Sequence, residues 1–311
     1  MISEQQLERW GQAPSQTEME KIKKTREIIE EKIKANFPVA ELKSKYHMAS
    51  LQAPNIYLQG SYANSTNIRF DSDVDIVAQL DDVFWSDKTQ LSEFEKQQYA
   101  LTYPKSEYNF LAFKNDIFLA LQKSFGYNAV IANKCIKVQE NTNRVNADVV
   151  PCFQYRVYKK FISFENQEFV EGMKFINTGS NAEIVNFPKK HIENCESKNV
   201  DTDGNFKSVV RIFKNIKREL VESGVLNEKV APSYFIENLL YNCSSPCFDG
   251  NFSKCMISTL QFIFDAMQTG RMTGFVCANE QDSLISEKTW NLLDAQNFIV
   301  VAGNYYLNTN K

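Results

Sequence analysis

Apolar positions Met19, Ile22, Ile29 and Ile33 recur at helical spacing, so the segment behind Pro14 is predicted to form a long amphipathic helix. Ser15 and Glu18 make a capping-box pattern at its start, and Phe37-Pro38 ends it. Beyond that point the period changes. "NIYLQGS" reads as a strand running into a tight turn, and "SDVDIVAQL" as a second strand. Residues 107 to 124 return to helical spacing through Phe110, Phe113, Ile117 and Leu121. "KCIKVQE", the turn-prone "NTN" and "RVNADVVPCFQY" predict a hairpin whose second arm alternates. From about residue 205 the chain reads as helices. "FKSVVRIFKNIKREL" sets Val209, Phe213, Ile216 and Leu220 on one face, and "APSYFIENLLYNC" and "KCMISTLQFIFDAMQTG" continue in that mode. Residues 160 to 204 hold Gly, Asn, Ser and Lys in excess and are predicted to be a connecting segment with short elements of its own. The final segment is predicted to pack onto the helical half through Trp290, Leu292, Phe298 and Ile299. The first half is thus mixed α and β, the second mainly helical.

Composition narrows the class. At 311 residues the chain can bury a sizeable core, and the domain-size prior suggests two lobes of roughly 150 residues each. Hydrophobic residues at 43% and charged residues at 23% are those of an ordinary folded protein. There is no run of about 18 apolar residues to span a bilayer. The N-terminus "MISEQQLERWGQAPSQ" lacks the basic and apolar regions of a signal peptide, so a cytoplasmic protein is expected. Seven scattered cysteines, an odd number in a long chain, read as reduced thiols rather than a disulfide framework. A net charge of -3 and a pI near 5.7 argue against a protein that coats nucleic acid.

The candidate chemistry lies in "GSYANSTNIRFDSDVDIVAQL", Gly60 to Leu80. In a strand, Asp73 and Asp75 share one face while Val74, Ile76 and Ala78 share the other. Two anions one pleat apart repel, so the pair calls for a cation. Carboxylate oxygens favour Mg²⁺ or Mn²⁺ over the His and Cys sites that favour zinc. Asp148 interrupts the apolar residues Val145, Ala147, Val149 and Val150 in the hairpin arm, and it completes a set if that strand lies beside the first. Three carboxylates can hold two ions about 3.5 to 4 Å apart, the arrangement that serves in-line phosphoryl displacement. Gly60 permits close backbone approach to a polyphosphate, and the Ser61 N–H and hydroxyl can donate to its oxygens. Each piece also has a bland reading, the solvent face of an edge strand or an ordinary turn. Their order and spacing are what point to a site.

In combination these motifs resemble the polymerase-β-type nucleotidyltransferases. "FKSVVRIFKN…APSYFIENLLYN" is similar to the C-terminal helical domain of the cGAS/DncV-like nucleotidyltransferases, bacterial relatives of cyclic GMP-AMP synthase and oligoadenylate synthetase. The resemblance spans about residues 15 to 305. It implies an α+β fold: a polymerase-β-like lobe with a mixed sheet and helices over 1–160, a connecting segment over 161–204 and a helical lobe over 205–311, with a nucleotide cleft between the lobes. It further implies Asp73, Asp75 and Asp148 as metal ligands for two Mg²⁺ or Mn²⁺ ions, with Asp148 nearest to a general base. Gly60 and Ser61 would hold the donor triphosphate, Lys214 and Ser233 would contact phosphates, and Tyr234 would stack on a base. Lys207, Arg211, Lys214 and Arg218 fall at helical spacing opposite the apolar stripe, a pattern that either offers a cationic surface to a triphosphate or is simply solvated. The family activity is synthesis of a cyclic di- or trinucleotide from NTPs with loss of pyrophosphate, a second messenger that acts on a downstream effector in anti-phage signalling.

Other features stay outside that reading. His191-x3-Cys195 and Cys243-x3-Cys247 are 48 residues apart and fit no standard zinc spacing, so buried thiols are the expectation. No zinc-ribbon counterpart is visible, and direct sensing of DNA is not supported. "NFPKKHIENCESKN" reads as a solvated loop, and His47 has no visible partner. Two alternatives share the metal site: a template-independent nucleotidyltransferase acting on RNA 3′ ends, which would want a larger basic surface, and a nucleotide-binding module without turnover.

Overall fold

The computed structural model describes residues 1–68, 73–287 and 289–308. In chain order they form α1 (Glu4–Gly11), α2 (Gln16–Asn36), α3 (Val39–Lys45), β1 (Asn55–Leu58), α4 (Gly60–Ala63), β2 (Val74–Asp87), α5 (Glu93–Thr102) and α6 (Phe110–Phe125). Then come β3 (Ala129–Ile131), β4 (Ile136–Val138), β5 (Ala147–Phe161), β6 (Gln167–Ile176), β7 (Glu183–Asn186) and α7 (Pro188–Val200). Four long helices complete the chain: α8 (Asn205–Glu222), α9 (Ser233–Tyr241), α10 (Phe252–Gln268) and α11 (Leu292–Asn308). The described residues divide into two compact units. One comprises Gln16–Gln59 and Ser72–Lys189, the other Met1–Ser15, Gly60–Asp71 and Lys190–Lys311.

The first unit is built on a sheet of order β1-β2-β5-β4-β3, with β6 on β5 and β7 on β6. β2 and β5 are parallel and the other pairings antiparallel, so the sheet is mixed. α2 and α6 supply apolar stripes as the spacing predicted: Ile22, Ile29 and Ile33 are buried on one, Phe113, Ile117 and Leu121 on the other. Phe113 packs against Phe37 and against Phe153 of β5. Thr25, buried in α2, donates to Lys21 O (2.8 Å) and accepts the Val145 N–H (3.0 Å), which fastens the helix to the residues entering β5. The predicted hairpin is β4 against β5.

The stretch read as a connecting segment is a correction. Residues 160 to 200 form the end of β5, then β6, β7 and α7. β6 carries apolar residues (Phe169, Val170, Met173, Phe175 and Ile176) in a strand that is mostly half-buried, and it pairs with its chain neighbours, β5 on one edge and β7 on the other. One glycine there has a fixed role. A Cβ on Gly172 would lie 2.8 Å from the Phe187 ring and 2.9 Å from Asn186 O. Gly172→Ala is expected to cost about 1–3 kcal/mol, read from the denaturant midpoint, as overpacking does.

The second unit is helical. Phe206, Phe213, Phe235, Phe248 and Phe298 are fully or almost fully buried in one core, which also takes in Ile2 and Leu7 from the N-terminal end. α11 contributes Phe298 and Ile299, with Trp290 and Leu292 packed at the margin, as the apolar pattern predicted. The expected boundaries at 160 and 204 are corrected here too. The first fifteen residues and the Gly60 loop belong to this unit, because Ile2 and Leu7 complete its core and α8 and α9 bind the loop.

Candidate active site

In the sheet unit, the parallel pairing of β2 and β5 sets Asp75 beside Asp148 in register. Their neighbours Val74 and Ala147, Ile76 and Val149 are also paired and buried. Register partners on adjacent strands project to the same side, so both carboxylates leave the sheet on one face, and Asp73, two residues back, shares that parity. Asp73 and Asp75 are exposed and Asp148 is half-buried. Two backbone bonds hold the strand end: Val74 N–H donates to Asn146 O and Gln59 N–H to Asp75 O, each at 3.0 Å. On the other side of Asp148 stands Lys137 of β4, also in register. Burial, and then the charge of Asp148, push the Cys135 thiol up to about 12, so it stays protonated beside the carboxylate. Among the described residues no three His, Cys, Asp or Glu side chains are gathered into a group that could hold an ion. What the fold supplies is the aligned pair Asp75 and Asp148, with Asp73 adjacent in the chain.

In the helical unit, Gly60 opens α4 at φ +70°, a conformation that favours glycine. Ser61 is half-buried, and its carbonyl accepts the Thr66 N–H at 2.9 Å. The loop that follows is held by α8 and α9. Arg211 donates to Ser65 O (2.5 Å) and to Gly11 O (2.8 and 2.6 Å). Lys214 Nζ donates to Thr66 O (3.0 Å), the Thr66 hydroxyl (3.2 Å) and Glu237 Oε1 (3.1 Å). Both readings of the basic row on α8, a cationic surface or a solvated stripe, are therefore corrected. Lys207, Arg211 and Lys214 are buried, and Lys207 and Arg218 pair with Glu196 and with Glu219. The reason is that α8 is enclosed nearly all round, so its basic side chains serve loop carbonyls and carboxylates of the same unit. Lys214, expected on a phosphate, is 2% exposed and committed to the loop and Glu237.

Ser233 and Tyr234 begin α9, and both are exposed, Tyr234 by 41%. The Tyr234 ring lies 4.8 Å from the His191 ring and 5.8 Å from Trp290. His191 was not legible as part of this group. The segment around it is no solvated loop but α7, with His191 and Cys195 turned inward. All seven cysteines are buried free thiols. His191 Nε2 is 3.0 Å from Glu237 Oε2 and 3.7 Å from Cys195 Sγ. Burial alone would lower the imidazole, but Cys195 and Glu237 outweigh it and hold it at about 9. Glu237 in turn is raised by burial and brought well below the carboxylate range by Lys214, His191 and Thr66. Because His191 is raised in the folded state, its contribution is complete below about pH 6.5 and lost as pH climbs through about 9. The expected loss is up to about 3 kcal/mol across that window, and His191→Gln should flatten it in urea titrations at pH 6 and pH 10.

A mixed sheet with acids in register on its central parallel strands, in a chain whose Gly-Ser loop is held by a helical unit, defines a nucleotidyltransferase of the polymerase-β-like class. Residues 193–307 match the model of the cGAS/DncV-like nucleotidyltransferase C-terminal helical domain. Over 290 residues, 91% of this chain and 92% of the relative, the sequence is 39% identical to the cyclic nucleotide synthase CdnE01 of Staphylococcus haemolyticus. The solved structure of the Rhodothermus marinus CdnE c-UMP-AMP synthase with Apcpp and Upnpp superposes with TM-score 0.84 at 34% identity, covering 100% of this chain and 98% of that one. That of the Elizabethkingia meningoseptica CdnE cyclic dinucleotide synthase with GTP and Apcpp gives 0.76 at 31%, covering 98% and 99%. The chain belongs to the cGAS/DncV-like nucleotidyltransferase family. No helix among the described residues is long and apolar enough to cross a membrane.

Proposed function

We propose that this nucleotidyltransferase joins two or three NTPs into a cyclic oligonucleotide with release of pyrophosphate, and that the product acts as a second messenger on a downstream effector in anti-phage defence. The observation that carries the chemistry is the register of Asp75 with Asp148 on neighbouring parallel strands. Their oxygen-only donor set suits Mg²⁺ or Mn²⁺, which keep waters and bind substrate phosphates. Asp73, Asp75 and Asp148 would hold two such ions. When bound, they would acidify the attacking ribose hydroxyl and take up charge on the leaving pyrophosphate. The chain's own residues would do the rest: Asp148 would accept the proton of that hydroxyl, the Ser61 N–H and hydroxyl would donate to the donor triphosphate, Ser233 would contact phosphate, and Tyr234 would carry a base on its exposed ring. Base stacking of this kind is worth about 1–3 kcal/mol. The relatives named above, a cyclic nucleotide synthase, a c-UMP-AMP synthase and a cyclic dinucleotide synthase, support a cyclic product.

The test is direct. The protein is incubated with Mg²⁺ or Mn²⁺ and all four labelled NTPs, then with phosphatase. A phosphatase-resistant product that disappears in single-NTP dropouts is expected, and the dropouts name its bases. Label returning only as free phosphate and nucleoside, together with extension of an added RNA 3′ end, would replace this reading with RNA nucleotidyl transfer.

A further inference from the structure

Glu237 is 2% exposed and divides its two oxygens between separate parts of the helical unit. Oε1 accepts from Lys214 Nζ (3.1 Å) and from the Thr66 hydroxyl, and Oε2 meets His191 Nε2 (3.0 Å) and the Asn64 amide (3.3 Å). One buried carboxylate thus joins the loop after Gly60 to α7, α8 and α9. A buried ionic cluster adds little net stability over apolar packing of equal volume, yet breaking one partner is costly, so such a cluster is better at specifying an arrangement than at strengthening it. The arrangement specified here has two ends. On one side, side chains of α8 and α9 hold the loop: Arg211 at Ser65 O, Lys214 at Thr66 O, and Glu237 at the Thr66 and Asn64 side chains. On the other, the His191 ring packs at a tilt of 38° against Tyr234, which precedes Glu237 by about one helical turn.

A second observation falls on the same segments. Asn64 Oδ1, both amide atoms of Asn67 and His191 Nδ1 are buried and have no hydrogen-bond partner among the described residues. Asn64 and Asn67 lie on the loop that Glu237 holds, and His191 of α7 meets the carboxylate itself.

We propose that Glu237 is a positioning residue for nucleotidyl transfer, holding the Gly60–Ile68 loop and the His191–Tyr234 ring pair in the one arrangement that a nucleoside triphosphate meets on binding. This rests on the reading that Gly60, Ser61 and Tyr234 bind nucleotide. The groups that face His191 are Cys195 on its own helix and Glu237 and Tyr234 on α9, with Lys214 of α8 on the carboxylate's other oxygen.

The experiment uses the full chain with Glu237→Gln, which keeps the shape and removes the charge, and Thr66→Val, which removes the loop's hydroxyl bonds to Glu237 and Lys214 but leaves both ion pairs in place. Hydrogen exchange of residues 60–68 is measured without nucleotide, and KM and kcat are measured with NTPs from pH 6 to 10. In Glu237→Gln, loop exchange and KM should each rise about tenfold or more, the scale of losing a charge-assisted hydrogen bond, with a smaller effect on kcat. Thr66→Val should change both in the same direction. Wild-type KM should climb as His191 loses its proton near pH 9, and Glu237→Gln should show no such climb. If Glu237→Gln does not fold, Thr66→Val carries the same two readouts. Unchanged exchange and unchanged KM in a folded variant overturn the proposal. Failure of the functional reading would look different: wild-type protein would form no phosphatase-resistant product, while loop exchange still separated it from the variants.

Discussion

Replacing Asp75 by Asn is expected to lower nucleotidyl transfer by about a thousandfold or more, with the fold intact. The side chain is exposed at the end of β2, so a neutral amide of the same shape fits without new burial or strain. What it loses is charge. Metal-assisted stabilisation of a phosphoryl transition state is worth several kcal/mol, and each 1.36 kcal/mol is a factor of about ten in rate. Asp148→Asn should fall as far, because Asp148 is the register partner of Asp75 and is half-buried beside Cys135 and Lys137. The measurement is the rate of pyrophosphate release at saturating NTP, with Mg²⁺ and Mn²⁺ in parallel. An Asp75→Asn protein with wild-type turnover would remove these acids from the mechanism.

Lys214→Met is expected to cost about 3–5 kcal/mol of stability, the range for breaking a buried ion pair by removing one partner. Among the described residues it leaves the Glu237 carboxylate with His191 as its one cation, and it takes two bonds from Thr66. The double variant Lys214→Met with Glu237→Gln should recover part of that loss, since the two residues share one interaction. Denaturant midpoints of the single and double variants at one pH check both statements. A Lys214→Met protein of unchanged stability and raised KM would restore the residue to direct phosphate contact.

The contrast between these two sites shows what a linear pattern can carry. The acids were legible because strand parity is local: Asp73 and Asp75 interrupt an apolar run at spacing two, and Asp148 interrupts another in the same way. Amphipathic stripes on α2, α6 and α8 were legible for the same reason, each repeating its apolar residues every three or four positions. The basic row on α8 obeyed the same periodicity and was misleading. Period reports which residues share a face, and it does not report whether that face meets water or another element. Lys207, Arg211 and Lys214 share a face, and the face is buried. His191 carried only the local signal of Cys195 one turn on, and its link to the loop comes from a glutamate 46 residues away.

By itself, then, the sequence determined the class of most elements, the apolar faces of the long helices and the three carboxylates proposed for the chemistry, because each depends on residues within one strand or one helical turn. Tertiary structure alone decided three things: that Asp75 and Asp148 stand side by side, that residues 160 to 200 extend the sheet and add a helix, and that Lys214, His191 and Glu237 close on the loop after Gly60. The first and third join segments distant in the chain, and such pairings follow from burial and strand register rather than from any local preference, whereas residues 160 to 200 pair as successive neighbours, β5 with β6 and β6 with β7, over half-buried faces.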